Sequence, residues 1–104
     1  MFNTIKSLFH RESPDFASLV RAGAVIIDVR MPSEFQSGHI QGSRNIPLNM
    51  IQGKLSELKK LNKPLITVCR SGARSASAKS MLVSAGLTVY NGGPWNVLEN
   101  RIKQ

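Results

Sequence analysis

The chain has 104 residues, a hydrophobic fraction of 41%, one cysteine, and a formal charge of +8 from 14 Lys and Arg against 6 Asp and Glu. That length fits one domain with a modest core, the apolar content is too high for a disordered chain, and a lone cysteine excludes an intrachain disulfide or a four-cysteine metal site. The charge concentrates anions and acidic partners around the protein, but the basic residues are scattered and carry no aromatic platform, so nucleic acid is not an expected partner.

In chain order, Met1, Phe2, Ile5, Leu8 and Phe9 recur at helical spacing and predict a helical extension over 1–12, ahead of a domain over 13–104. That segment is too short to span a membrane and lacks the cleavage site of a secretory signal, so the expectation is a monomer in the cytoplasm with no transmembrane segment. Ser13, Pro14 and Asp15 start a short helix that Gly23 stops. "AVIIDV" (24–29) is a nearly continuous apolar, β-branched run, as in a parallel strand covered on both faces. "MPSEFQSG" places proline near a helix start and glycine after it. Leu48, Ile51, Leu55, Leu58 and Leu61 predict one amphipathic helix, which Gly53 weakens. "PLITV" (64–68) is a second buried strand with Pro64 at its beginning. Ala78, Met81, Leu82 and Ala85 line a helix ending at Gly86, "LTVY" (87–90) is a third strand, and the "NGG" after it reads as a loop. Strands alternating with helices define an α/β domain with a mainly parallel sheet, in which ligands sit beyond the carboxyl ends of strands.

Cys69 lies at that edge, in "VCRSGARSAS" (68–77). A loop running from a strand end to a helix start aims successive N–H groups into a concavity, and the helix terminus adds partial positive charge. Gly72 and the small residues Ser71, Ala73 and Ser75 allow close approach, while Arg70 and Arg74 supply whole charges. A cysteine in that setting is stabilised as thiolate. The competing reading is an inert cysteine filling the core; the glycine, the arginines and the helix start that follow it favour the nucleophile.

Four stretches carry a family resemblance: "GAVIIDVR" (23–30), "EFQSGHIQGSRNIP" (34–47), "VCRSGARSAS" (68–77) and "AGLTVYNGG" (85–93). In this order and spacing they resemble a single-domain rhodanese, the sulfurtransferase family, from about Ser13 to Trp95. The resemblance implies a three-layer αβα domain with a mainly parallel sheet of four to five strands. It implies that Cys69 carries a transferable sulfur as a persulfide, with no metal or other cofactor. Arg70, Ser71, Gly72, Ala73 and Arg74 would complete a six-residue active loop whose amides surround that sulfur, and Ser75 would open the helix behind it. Asp28 and Arg30 would brace the site from the neighbouring strand end, and Glu34 would pair with a nearby base. His39 reads as a hydrogen-bonded loop histidine rather than a general base, and Trp95 as a core anchor.

Cell-cycle dual-specificity phosphatases and some arsenate reductases form a related branch with five residues between cysteine and arginine. Here four separate Cys69 from Arg74, a loop sized for sulfur rather than phosphate or arsenate. The expected activity is that of a thiosulfate sulfurtransferase. Its donors are small sulfur anions such as thiosulfate, and its acceptors are cyanide, thiols or acidic sulfur-carrier proteins. The alternative is a persulfide carrier or regulatory binding module with little turnover of small donors.

Overall fold

The computed structural model describes residues 14–103. The helical extension expected over 1–12 and the helix-start residue Ser13 lie outside the described residues.

Helix α1 (Phe16–Arg21) begins where Asp15 accepts hydrogen bonds from the Ser18 amide and hydroxyl, which hold its carboxyl below the usual range. Strand β1 (Val25–Asp28) leads into α2 (Pro32–Ser37), whose first turn is closed by Met31 N–H donating to Glu34 Oε1 at 3.0 Å. A two-residue strand β2 (Arg44–Asn45) follows; its short polar sequence gives no strand signal, and only pairing to β1 holds it.

The leucine repeat forms two segments rather than one helix: a 3₁₀ stretch over Leu48–Lys54 and then α3 (Leu55–Leu61). Pro47 precedes the first and Gly53 lies inside it, and both weaken α-helical continuation while the three-residue spacing of Leu48 and Ile51 suits a 3₁₀ turn. Strand β3 (Leu65–Cys69) is buried at every residue. Helix α4 (Ala73–Ser84), strand β4 (Val89–Pro94) and helix α5 (Trp95–Ile102) complete the described chain.

The four strands are all parallel in the order β2-β1-β3-β4. Alternate strand residues face opposite layers. Ile27, Val29, Leu65, Cys69 and Val89 pack with Ile51, Leu58, Ala78 and Leu82, whereas Ile26, Ile66 and Val68 pack with Phe16, Ile40 and Leu98. The fold is therefore the expected αβα sandwich, with four strands. The chain leaves β1 toward one edge and β3 toward the other, so the switch point falls between the carboxyl ends of these two central strands. Asp28 pairs with Val68 there, one residue before Cys69.

Strand β4 departs from the sequence reading. It begins at Val89 and runs through the expected "NGG" loop to Pro94. Thr67 is opposite Asn91 but Val68 is opposite Gly93, so Gly92 is the extra residue of a bulge. A Cβ on Gly92 would lie 2.9 Å from Ile66 Cγ2 and Val68 Cγ1 and 3.0 Å from Leu98 Cδ2. Gly92 thus marks close approach within a strand rather than a turn, while Gly93 beside it adopts φ +75° with open space around it. Among the described residues no helix is long and apolar enough to cross a membrane.

Candidate active site

Cys69 ends β3, and Gly72 caps α4 only three residues later. The tightness of that connection dictates its geometry. Gly72 adopts φ +103°, a region that disfavours any side chain. In that conformation its N–H turns back to donate to Cys69 Sγ at 2.9 Å. The first turn of α4 then brings Ser75 Oγ within 3.4 Å of the same sulfur. Ser75 is thus buried inside the helix, which opens at Ala73 rather than at Ser75 as expected. Thr67 Oγ1 donates to Ser75 O at 2.9 Å and ties this turn to the middle of β3.

The sequence places Cys69 at the carboxyl edge of the sheet; the structure buries its side chain there, in the core cluster that also holds Ile27, Val29 and Ala78. The burial is one-sided, because the amides of the loop still point at the sulfur. Burial pushes the thiol up, but the Ser75 hydroxyl and the amides of Ser75, Gly72 and Ser71 outweigh it and leave the thiol below its ordinary value. A purely apolar cysteine would be displaced the other way. Arg70 and Ser71, the next two residues, are exposed above it.

The two loop arginines are placed differently. Arg74 makes a bidentate pair with Glu34, Nη1 to Oε1 at 2.7 Å and Nη2 to Oε2 at 2.9 Å, so the base expected to meet Glu34 is Arg74. That hydrogen bonding, with the Met31 amide, lowers the Glu34 carboxyl to about 2. Glu34 in turn raises Arg74, with smaller contributions from Cys69 and Asp28. Among the described residues Arg70 makes no ion pair.

Asp28 and Arg30 form a buried unit beneath α2. Arg30 Nη2 donates to Asp28 Oδ2 at 2.7 Å and Nε to Oδ1 at 2.9 Å, while Nη2 also reaches Gly38 O at 2.7 Å. The guanidinium covers the Trp95 ring at 4.8 Å from its centroid. The pair thus joins the β1 end, the α2 terminus and the start of α5. Trp95 packs against the core as the sequence reading has it. His39 stacks on Phe35 with centroids 3.7 Å apart and its Nδ1 lies 2.7 Å from Phe35 O, a structural setting.

Sequence reasoning missed Asn91. Its Oδ1 accepts from Ser75 Oγ at 2.7 Å and from Gly93 N–H at 2.9 Å, and its Nδ2 donates to Gly72 O at 3.4 Å. Asparagine is depleted from strands and "NGG" reads as a turn, so no local signal marked Asn91. Among the described residues no three His, Cys, Asp or Glu side chains converge as metal ligands.

A strand-end cysteine that accepts from the Gly72 amide, on an αβα sheet with a four-residue gap to the arginine, defines a class of domain. The chain matches the Rhodanese-like domain over residues 13–95 and belongs to that family. It is 43% identical over 75 residues to the uncharacterized protein YqhL of Bacillus subtilis, covering 68% of this chain but only 59% of YqhL. It is 40% identical over 85 residues to the thiosulfate sulfurtransferase GlpE of Stutzerimonas stutzeri, covering 80% of this chain and 77% of GlpE. Among solved structures, a rhodanese with anions from E. coli superposes with a TM-score of 0.65 at 32% identity, over 71% of this chain and 89% of that one.

Proposed function

We propose that the protein is a sulfurtransferase that moves a sulfane sulfur from thiosulfate or a similar anion to a thiophilic acceptor through a persulfide on Cys69. The observation that carries this reading is the Gly72 N–H aimed at Cys69 Sγ at 2.9 Å, at the carboxyl end of a central strand. The similarity to GlpE supports thiosulfate as donor.

In the first step the Cys69 thiolate attacks the outer sulfur of thiosulfate. A Cys69 S–S bond forms, the donor S–S bond breaks, and sulfite leaves with the bonding pair. The charge then resides on the outer persulfide sulfur, within reach of the inward-facing loop amides and the positive end of α4. Cyanide attacks that outer sulfur in the second step, leaves as thiocyanate, and returns the electron pair to Cys69 as thiolate. Arg74 is occupied by Glu34 and braces the loop, whereas exposed Arg70 draws the anionic donor. Asp28 and Arg30 hold the neighbouring strand end. Because Cys69 is buried, a donor reaches Sγ only if the residues that cover it give way.

That burial, with the +8 charge, also favours a second reading: a persulfide carrier whose loop is opened by an acidic protein donor. Steady-state thiosulfate:cyanide turnover decides between them. Multiple turnovers with ping-pong kinetics, abolished in Cys69→Ser, are expected for the enzyme. A single sulfur accepted without turnover supports the carrier, and no transfer of any kind overturns both.

A further inference from the structure

Ser75 Oγ carries one hydrogen. Three acceptors surround it: Asn91 Oδ1 at 2.7 Å, Gly72 O at 3.0 Å, and Cys69 Sγ at 3.4 Å once that sulfur is ionised. Gly72 O is already served by Ala76 N–H at 3.0 Å and Asn91 Nδ2 at 3.4 Å. The contest is therefore between the asparagine and the sulfur. The asparagine amide cannot reverse, because Gly93 N–H donates to Oδ1 at 2.9 Å and a flipped amide would set two donors face to face.

We propose that Asn91 is a positioning residue that competes with Cys69 for the Ser75 hydroxyl proton and so limits how far the nucleophilic sulfur is stabilised. The proposal rests on reading Cys69 as the nucleophile. In the thiol state the chain of donation runs from Cys69 S–H to Ser75 Oγ and from Ser75 O–H to Asn91 Oδ1. When the thiol proton leaves to water, the serine O–H can turn to the charged sulfur only by leaving the asparagine, which keeps Gly93 as donor. No covalent bond of the serine breaks. A thiol with a very low pKa gives a weaker nucleophile, so this competition keeps the sulfur reactive while the loop amides keep it ionised.

The charged groups around the sulfur come from several elements: Arg74 on α4, Arg70 in the loop, Glu34 on α2 paired with Arg74, and Asp28 with Arg30 at the end of β1. Strand β4 contributes no charged residue. Replacing Asn91 or Ser75 therefore leaves that set of charges intact; Asn91→Leu also frees the Gly93 N–H and withdraws one donor from Gly72 O, which the Ser75→Ala background controls for.

Thiolate ultraviolet absorbance against pH reads the effect directly, since the chain has one cysteine. Asn91→Leu is expected to lower the Cys69 pKa by about half to one unit, roughly three- to tenfold in ionisation constant, by releasing the hydroxyl to the sulfur. Ser75→Ala raises the pKa, and adding Asn91→Leu to Ser75→Ala changes nothing further. A pKa that rises or stays put in Asn91→Leu, or that shifts equally with and without Ser75, overturns the proposal; a merely structural asparagine would give one of these results. If Asn91→Leu does not fold, amide NMR of the wild-type chain serves instead. The Gly93 N–H must then shift downfield with the midpoint of the Cys69 titration, and must not do so in Ser75→Ala; a Gly93 signal indifferent to Ser75 overturns the proposal. Both readouts follow ionisation alone. Failure to form a persulfide from thiosulfate would refute sulfur transfer while leaving an observed Ser75-dependent shift in support of Asn91.

Discussion

Replacing Glu34 with glutamine removes a charge while keeping an oxygen that can accept from the Met31 amide, so it isolates the ion pair to Arg74. The Glu34 carboxyl is lowered to about 2, chiefly by the Arg74 hydrogen bonds. Against an unfolded carboxyl near ~4.3, that gap converts to about 3 kcal/mol without screening. Solvent reaches both partners, however, with 29% of the Glu34 and 35% of the Arg74 side-chain surface exposed. Screened pairs of this kind contribute less, and the bidentate geometry puts this one at about 1 kcal/mol. Urea unfolding of Glu34→Gln at neutral pH should show that loss, and thermal unfolding a midpoint lower by about 4–8 °C. The sign with pH follows from a depressed folded value. The contribution is complete above the unfolded carboxyl range and is lost as pH falls through about 2, so wild type and variant converge between roughly pH 4.5 and 2. High salt shrinks the difference further. A loss that persists unchanged at low pH would refute the electrostatic account, because glutamine would then be failing as a packing or capping group.

The bulge makes a sharper demand on packing. Gly92→Ala sets a Cβ against three buried side chains and should destabilise by about 3 kcal/mol in urea, whereas Gly53→Ala, with nothing within 4 Å of its Cβ, should be near neutral. Equal effects at both positions would show that backbone freedom rather than close approach matters at Gly92. Arg70→Ala should raise the KM for thiosulfate while leaving kcat for an uncharged donor largely intact, and equal losses with both donors would remove Arg70 from donor capture.

The central strands were legible because each is a short β-branched run buried on both faces, and helix ends were legible at Pro32, Gly38 and Gly86. In the cysteine loop the sequence marks Gly72, the residue whose backbone turns its amide onto the sulfur, whereas Arg74 falls inside α4. What local sequence concealed was decided by distant partners. Gly92 reads as a turn residue until Ile66, Val68 and Leu98 close around it. Arg44 and Asn45 form a strand only by pairing with Ile27 and Asp28. The leucine spacing at 48–61 serves a 3₁₀ turn as well as an α-helix near its start. Asn91 acquires a role only because the β3–β4 register sets it opposite Thr67 and beside Ser75, just before the bulge. The burial of Cys69 reflects its place in the core cluster with Ile27, Val29 and Ala78, set by how the layers pack rather than by local composition.

Intact mass measurement after brief exposure to thiosulfate is the most direct examination of the nucleophile. A gain of one sulfur atom, mapped to Cys69, released by cyanide as thiocyanate and absent in Cys69→Ser, is the predicted result. A protein left unmodified by excess thiosulfate would mean that this buried thiol, despite the Gly72 amide aimed at it, does not take sulfur from the donor.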